Sequence, residues 1–172
     1  MYSKNISLIG FMGSGKSTAG KVIAESLNYL FVDLDKIIEY ICEASVKDIF
    51  KKNGESYFRA IENKIINKTY YNKNCVFACG GGAFKTEENI KIIRKNSCVV
   101  YLAITEEEAY ERLKNSKDRP LLLVGGDLRQ NIKEILGQRT DIYSNNCDIK
   151  IDIGGKSPEK IKDEVLVFLN LR

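Results

Sequence analysis

The chain has 172 residues, of which 44% are apolar and 29% charged, and its net charge of +4 comes from 27 basic residues spread among 23 acidic ones. Such a length and composition are typical of one globular domain with its own core, and the spread of the basic residues argues against a nucleic-acid-binding stripe. Histidine is absent, which excludes histidine-based triads, so any general base is expected to be a carboxylate.

Taken in chain order, short apolar runs alternate with segments of helical spacing. The predicted strands are 6–10, 30–33, 75–79, 98–103 and 148–153. Hydroxyl residues followed by acids, at Thr86, Thr105 and Ser157, predict where three of the helices begin. Strands that alternate with helices indicate an α/β fold with a parallel sheet and helices on both faces. No break in composition divides residues 1–172, so a single domain is expected.

The five cysteines are odd in number and lack a CxxC spacing, which favours free thiols in a reducing cytosol. The N-terminus has no secretory signal pattern, and the longest apolar run, 98–104, is too short to span a membrane. We therefore expect a cytoplasmic protein that binds neither nucleic acid nor membrane. No coiled-coil pattern is present, so a monomer is the default expectation.

The first strand leads into "GFMGSGKST", residues 10–18, which contains the pattern Gly10-x4-Gly15-Lys16-Ser17. A glycine-rich turn of this kind points backbone amides at a polyphosphate, and the helix that follows adds its positive end. Lys16 is expected to reach the β- and γ-phosphates, and the Ser17 hydroxyl to reach Mg²⁺. A chance glycine-rich turn is a poor alternative, because the pattern lies where a strand passes into a helix.

The second strand ends in Asp33-Leu34-Asp35. In an extended chain both carboxylates would point to one side, where one could bind Mg²⁺ and the other accept a proton from a substrate hydroxyl. The alternative is structural, with Asp35 as the N-cap of the next helix. The neighbouring glycine-rich phosphate-binding loop at 10–18, the P-loop, favours the functional interpretation.

Three later features each allow two interpretations. Arg59 and Glu62 are three residues apart on a predicted helix, where they could form a surface ion pair or lie in a cleft. Arg139 lies on an apolar helical stripe, so it either extends outward to solvent or faces a bound anion, which we favour. The glycines of "CGGGAF", residues 79–84, suggest close approach to a ligand or a flexible turn.

These pieces together resemble shikimate kinase nearly from end to end. The matching stretches are "GFMGSGKST", "DLDKIIE", "VKDIFKKNGESYFRAIE", "ACGGGA", "RPLL" and "QRTDIY", in the family's order. The resemblance implies transfer of the ATP γ-phosphate to the 3-hydroxyl of shikimate, with Mg²⁺, in chorismate and aromatic amino-acid biosynthesis. It also implies a P-loop kinase fold with a three-layer, five-stranded parallel sheet in the order 2-3-1-4-5.

The same resemblance assigns residues by position. Lys16, Asp35 and Arg119 would be catalytic, and Ser17 with Asp33 would serve the metal. The nucleotide-binding residues would be Gly13, Ser14, Gly15, Lys16, Ser17, Thr18, Arg112, Arg119 and Lys156. The shikimate-binding residues would be Asp35, Arg59, Glu62, Gly80, Gly81, Gly82 and Arg139. A shikimate-binding subdomain would cover about 35–62 and a mobile lid about 112–126.

One stretch departs from the family, which usually has Arg-x-Pro-Leu-Tyr where this chain has Arg139-Thr140-Asp141-Ile142-Tyr143. Without the proline we expect the helix to continue for another turn, and Asp141 to point away from the face of Arg139. Another small-molecule kinase, such as a gluconate kinase, is the nearest alternative. A GTPase-like switch would need an N/T-K-x-D motif, which is absent, and the intact catalytic set argues against a regulator without activity.

Overall fold

A five-stranded, wholly parallel sheet in the order β2-β3-β1-β4-β5 forms the centre of the molecule. The computed structural model describes residues 4–116 and 127–171. The strands are β1 (Asn5–Ile9), β2 (Leu30–Asp33), β3 (Cys75–Ala78), β4 (Ser97–Ala103) and β5 (Ile149–Asp152). The predicted sheet and its strand order are confirmed, and each predicted strand end lies within one residue of the observed end.

Seven α-helices in the described residues connect and cover the strands. They are α1 (Lys16–Leu27), α2 (Leu34–Cys42), α3 (Val46–Thr69), α4 (Glu87–Asn96), α5 (Glu106–Leu113), α6 (Leu128–Asn146) and α7 (Pro158–Phe168). Alternate residues of β4 enter two separate apolar cores: Cys98, Val100 and Leu102 in one, Val99 and Tyr101 in the other. Both faces of the sheet are therefore covered, as parallel sheets require.

Two of the three hydroxyl residues that were expected at helix starts make capping hydrogen bonds. Thr105 forms a reciprocal capping box with Glu108, and the Ser157 side chain accepts the amide of Lys160, with Pro158 in the first helical position. Thr86 occupies the N-cap of α4, but its side chain makes no capping hydrogen bond.

The crossover between β2 and β3 contains α2 and α3, and Arg59 and Glu62 lie on the helix α3, as predicted. α3 is kinked at Gly54, whose φ of 82° and ψ of 170° fall in a region that only glycine adopts readily. α6 runs without interruption from Leu128 to Asn146, past the position where the family pattern has proline, as expected.

The cysteines are free thiols, as predicted. Cys75, Cys79 and Cys98 are buried in or beside the sheet, whereas Cys42 and Cys147 are half-buried. Across residues 4–116 and 127–171 we find no helix that combines the length and apolar character needed to cross a membrane.

Candidate active site

The P-loop lies at the carboxyl end of the central strand β1, immediately before α1. Gly13 and Gly15 have φ values of 78° and 82°, which L-residues rarely adopt, so these two turns depend on glycine. The Lys16 ammonium donates to the carbonyls of Gly10 (3.0 Å) and Phe11 (2.8 Å). The loop and the N-terminus of α1 thus form a site suited to phosphate.

A hydroxyl and a carboxylate pair beside this loop. The Ser17 hydroxyl donates to Asp33 Oδ2 at 2.7 Å, and Asp33 also caps α2 by accepting the amide of Lys36. The described residues contain no group of three or more histidine, cysteine or acidic side chains that could hold a metal by themselves. One hydroxyl and one carboxylate suit Mg²⁺, which keeps waters and substrate phosphates among its ligands.

The position of Asp35 agrees with neither of the two geometries considered from the sequence. It lies in the first turn of α2 rather than in extended chain, and the N-cap is Asp33. The argument that alternating residues of a strand share one side therefore does not apply, because the helix begins at Leu34. Asp35 nevertheless faces the P-loop across a 390 Å³ cavity that is also lined by Lys16, Ser17 and Asp33.

Arg59 and Glu62 form a buried ion pair on α3. Arg59 Nη1 donates to Glu62 Oε2 at 2.7 Å, and the Glu62 side chain is fully inaccessible to solvent. Burial raises the pKa of Glu62 to about 7, although the charge of Arg59 opposes the shift. The surface interpretation of this pair is excluded, and it lies inside the cleft.

A second carboxylate also holds Arg59. Glu55 accepts from Arg59 Nε and Nη2 at 3.2 Å and from Lys85 at 2.8 Å, at the partly exposed edge of the cleft. Burial tends to lower the pKa of Arg59, but the nearby carboxylates of Glu62 and Glu55 raise it overall. Arg59 is therefore a charged side chain held in place from two sides.

The glycines after β3 leave room for the site's own side chains. A Cβ on Gly80 would lie 2.6 Å from Asp35 Oδ1 and 2.9 Å from Glu62 Oε1, and one on Gly82 would overlap the guanidinium of Arg59. Side chains at these positions would thus displace Asp35, Glu62 and Arg59. The flexible-turn alternative does not account for this crowding.

Arg139 reaches the same turn from α6. It is only 5% exposed, and a Cβ on Gly81 would lie 2.9 Å from its Nη1. The Tyr143 hydroxyl, one helical turn further on, donates to the carbonyl of Gly81. Arg139 therefore faces the cleft, whereas Asp141 is exposed, as expected from its place on the helix.

Arg112, which also lines the 390 Å³ cavity, donates from Nη1 to the carbonyl of Gly13 at 2.9 Å. Lys156 forms an ion pair with Glu164 at 2.6 Å. Both side chains line a 170 Å³ cavity together with Ser14, Gly15 and Thr18. Arg119 and the lid from 117 onward lie outside the described residues.

Sequence reasoning missed three residues near the site. Glu55 lies one turn before Arg59 on α3, so this i,i+4 pair could have been found from helical spacing. Lys85 lies after the glycine turn and pairs with Glu55, and no local pattern relates it to the site. Tyr143 could have been found, because it follows Arg139 by four residues on the same stripe. A larger, 920 Å³ groove lies between α2 and the far side of α3 and contains none of the predicted site residues.

The parallel sheet, the P-loop after β1 and an acidic and basic cleft beside it define a P-loop kinase. The chain belongs to the shikimate kinase family: the family model "Shikimate kinase" matches residues 12–170. Its relatives include shikimate kinases from Persephonella marina, 44% identical over 95% of this chain and 97% of that protein, and from Sulfurihydrogenibium sp., 41% identical over 98% and 99%.

Solved structures agree with this assignment. A shikimate kinase from Acinetobacter baumannii in complex with shikimate superposes with a TM-score of 0.93, at 32% identity, over 96% of this chain and 92% of that one. A gluconokinase from Sinorhizobium meliloti has a TM-score of 0.60 and 20% identity, so it shares the fold only. The gluconate kinase alternative is correspondingly less supported. The chain is thus an ATP-dependent phosphotransferase that acts on a hydroxyl group.

Proposed function

We propose that the residues around the 390 Å³ cavity transfer the γ-phosphate of ATP to the 3-hydroxyl of shikimate. The observation that carries the proposal is that Lys16 and Asp35 line one cavity, and that Gly80 joins Asp35 to the buried Arg59–Glu62 pair. A phosphate site, a base and a site for a carboxylate thereby adjoin. The shikimate bound in the 32% identical relative is a substrate with both the hydroxyl and the carboxylate.

In the proposed reaction the 3-hydroxyl oxygen forms a bond to the γ-phosphorus while the bond from that phosphorus to the β–γ bridging oxygen breaks. Asp35 accepts the hydroxyl proton, and ADP and shikimate 3-phosphate are the products. Lys16 and the N-terminus of α1 stabilise the charge on the phosphates. Ser17 and Asp33 would hold Mg²⁺, which neutralises phosphate charge when it is bound.

Substrate recognition is proposed to rest on two arginines and a backbone turn. Arg59 and Arg139 would bind the shikimate carboxylate, because a guanidinium matches a carboxylate with two parallel hydrogen bonds. The segment 80–82 and Glu62 would complete this side. Residues 35–62 would form a substrate-binding subdomain, and a lid over 112–126 would bring Arg119 to the phosphates. Arg112 and Lys156 would border the nucleotide.

The wider setting is also a proposal. Action in the cytoplasm is consistent with the five free thiols, since reducing compartments keep thiols unpaired. A monomer is the proposed oligomeric state, because the sequence contains no coiled-coil pattern. The product would enter chorismate and aromatic amino-acid biosynthesis, as the family's reaction implies.

The test is ADP release from Mg-ATP with shikimate, gluconate, a nucleoside monophosphate or no acceptor. We expect release only with shikimate, and its loss in Asp35→Asn while shikimate binding is retained. Asp141→Asn, a neutralised acid on the exposed face of α6, is the matched control and should keep full turnover. Turnover without shikimate, or a preference for gluconate, would overturn the proposal.

A further inference from the structure

The two oxygens of the Glu62 carboxyl differ in their hydrogen bonding. Oε2 accepts from Arg59 at 2.7 Å, whereas Oε1 is buried and has no hydrogen-bond partner within the described part of the chain. Oε1 points toward Gly80, where Asp35 Oδ1 approaches the same point from α2. An unpaired carboxylate oxygen in a buried site that faces a second carboxylate is a favourable position for a proton.

The charges around Glu62 come from three helices and balance. Arg59 on α3 and Arg139 on α6 are positive, and Asp35 on α2 is negative, as is Glu62 itself when ionised. Cys79, after β3, also faces Glu62, but burial raises its pKa to about 12, so this thiol is neutral. With Glu62 ionised, the cluster contains two charges of each sign.

The groups around this cluster do not alter the balance. Glu55 and Lys85 pair with each other at the exposed edge, next to Arg59. Tyr143 is neutral, because burial raises its pKa to about 12. Lys16 lies on the P-loop side, where it acts on Cys79 and bonds the loop carbonyls. A substrate carboxylate that enters between the arginines therefore leaves the buried cluster with one excess negative charge.

We propose that Glu62 takes up a proton from solvent when a carboxylate substrate binds between Arg59 and Arg139. The protonated Oε1 can then donate toward the acceptor oxygens around Gly80, while the arginine charge turns to the substrate carboxylate. The inference rests on the proposed function, since it takes shikimate as the carboxylate and the two arginines as its site. It adds a role for Glu62 as a positioning residue whose protonation state is coupled to binding.

The sign of the pH dependence follows from linkage. The free carboxyl has a pKa of about 7, so above this pH the protein must take up a proton to bind, and affinity falls as pH rises. The dissociation constant of shikimate should increase by up to about tenfold per pH unit above neutrality, until the pKa of the bound form is reached. Below neutrality Glu62 is already protonated, and the dependence should level off.

The experiment is calorimetric titration of the protein with shikimate, in the presence of Mg-ADP at pH 7.5, in buffers with different ionisation enthalpies. We expect uptake of roughly 0.5 to 1 proton per shikimate in the unmodified chain. In Glu62→Gln, which keeps shape but cannot titrate, uptake should fall to near zero and the dissociation constant should lose its rise above pH 7. Glu25→Gln, the same substitution at an exposed position of α1, is the matched control and should leave uptake intact.

The outcomes separate the two proposals. Shikimate that binds the unmodified chain with no proton uptake, or uptake that persists in Glu62→Gln, overturns the role of Glu62 while the kinase site stands. Failure of shikimate to bind, or binding that is insensitive to Arg139→Lys, overturns the substrate site itself. If the Gln variant does not fold, the unmodified chain still tests the role: no uptake overturns it, whereas uptake together with a dissociation constant that begins to rise near pH 7 supports it.

Discussion

At the scale of single residues, the glycines of the turn after β3 matter because their lack of side chains leaves room for Asp35, Glu62 and Arg59. We expect Gly82→Ala to raise the KM for shikimate on the order of ten- to a hundredfold, because the new methyl group would displace the Arg59 guanidinium. The KM for ATP should change little, since Arg59 lies outside the cavity that the P-loop lines. Steady-state kinetics with each substrate varied in turn measures both constants.

Gly137→Ala is the control for this substitution. Among residues 4–116 and 127–171, no atom lies within 4 Å of a Cβ at this position of α6. Alanine should therefore leave both KM values unchanged and stabilise the helix by roughly 0.5–1 kcal/mol. An unaltered KM for shikimate in Gly82→Ala would show that Arg59 does not bind the substrate.

The segment that departs from the family pattern offers a second comparison of residues. Arg139→Lys should raise the KM for shikimate roughly tenfold, because lysine keeps the charge but cannot make two parallel hydrogen bonds to a carboxylate. Asp141→Asn should leave it within about twofold, since this exposed side chain points away from the cleft. If Asp141→Asn instead lowered the KM markedly, the carboxylate would be acting on Arg139.

At the scale of helices, two capping threonines of similar sequence context differ in what they bond. Thr105→Ala should lower the free energy of unfolding by about 1 kcal/mol, because it removes the capping box of α5. Thr86→Ala should cost less than about 0.5 kcal/mol, since Thr86 makes no capping bond. Urea unfolding of the two variants compares them, and equal losses would contradict the difference between the caps.

The kink of α3 shows how local signals can be outweighed at this scale. The segment is helical, but the direction of its first eight residues depends on the backbone of Gly54. The start of α2 is another case, since Leu34 enters the core and begins the helix directly after Asp33. The kink sets the direction of residues 46–53, and the start of α2 sets the orientation of Asp35; no sequence pattern reveals either.

At the scale of the whole molecule, the buried Glu62 links stability to pH. A carboxyl with a pKa of about 7 when folded and 4.5 otherwise releases its proton first in the unfolded chain. Its contribution to stability is thus complete below about pH 4.5 and is lost as pH rises to about 7. We expect Glu62→Gln to gain on the order of 3 kcal/mol relative to the unmodified chain between pH 4 and pH 8.

Urea unfolding at several pH values measures this difference. The comparison between the two chains cancels the titration of the other groups, as well as any constant cost of the substitution. A difference in unfolding free energy that does not vary with pH would mean that Glu62 titrates normally in the folded protein.

Much of this architecture could be predicted because it depends on neighbours in sequence. Apolar runs located the five strands, and the P-loop located the phosphate site, since both signals are continuous stretches of chain. The burial of Glu62, the pairing of Lys85 with Glu55, and the crowding at Gly80 could not be derived in this way. They arise where α2, α3 and the turn after β3 meet, and the intervening chain does not encode the distances.

The distribution of thiols has a practical consequence for spectroscopy. Cys42, at the last residue of α2, and Cys147, immediately after α6, are the two half-buried cysteines, while the other three are buried. Thiol-reactive dyes can therefore be directed to one position on the crossover and one on the body of the molecule without introducing a cysteine. Energy transfer between them would follow the distance from α2 to the sheet during turnover.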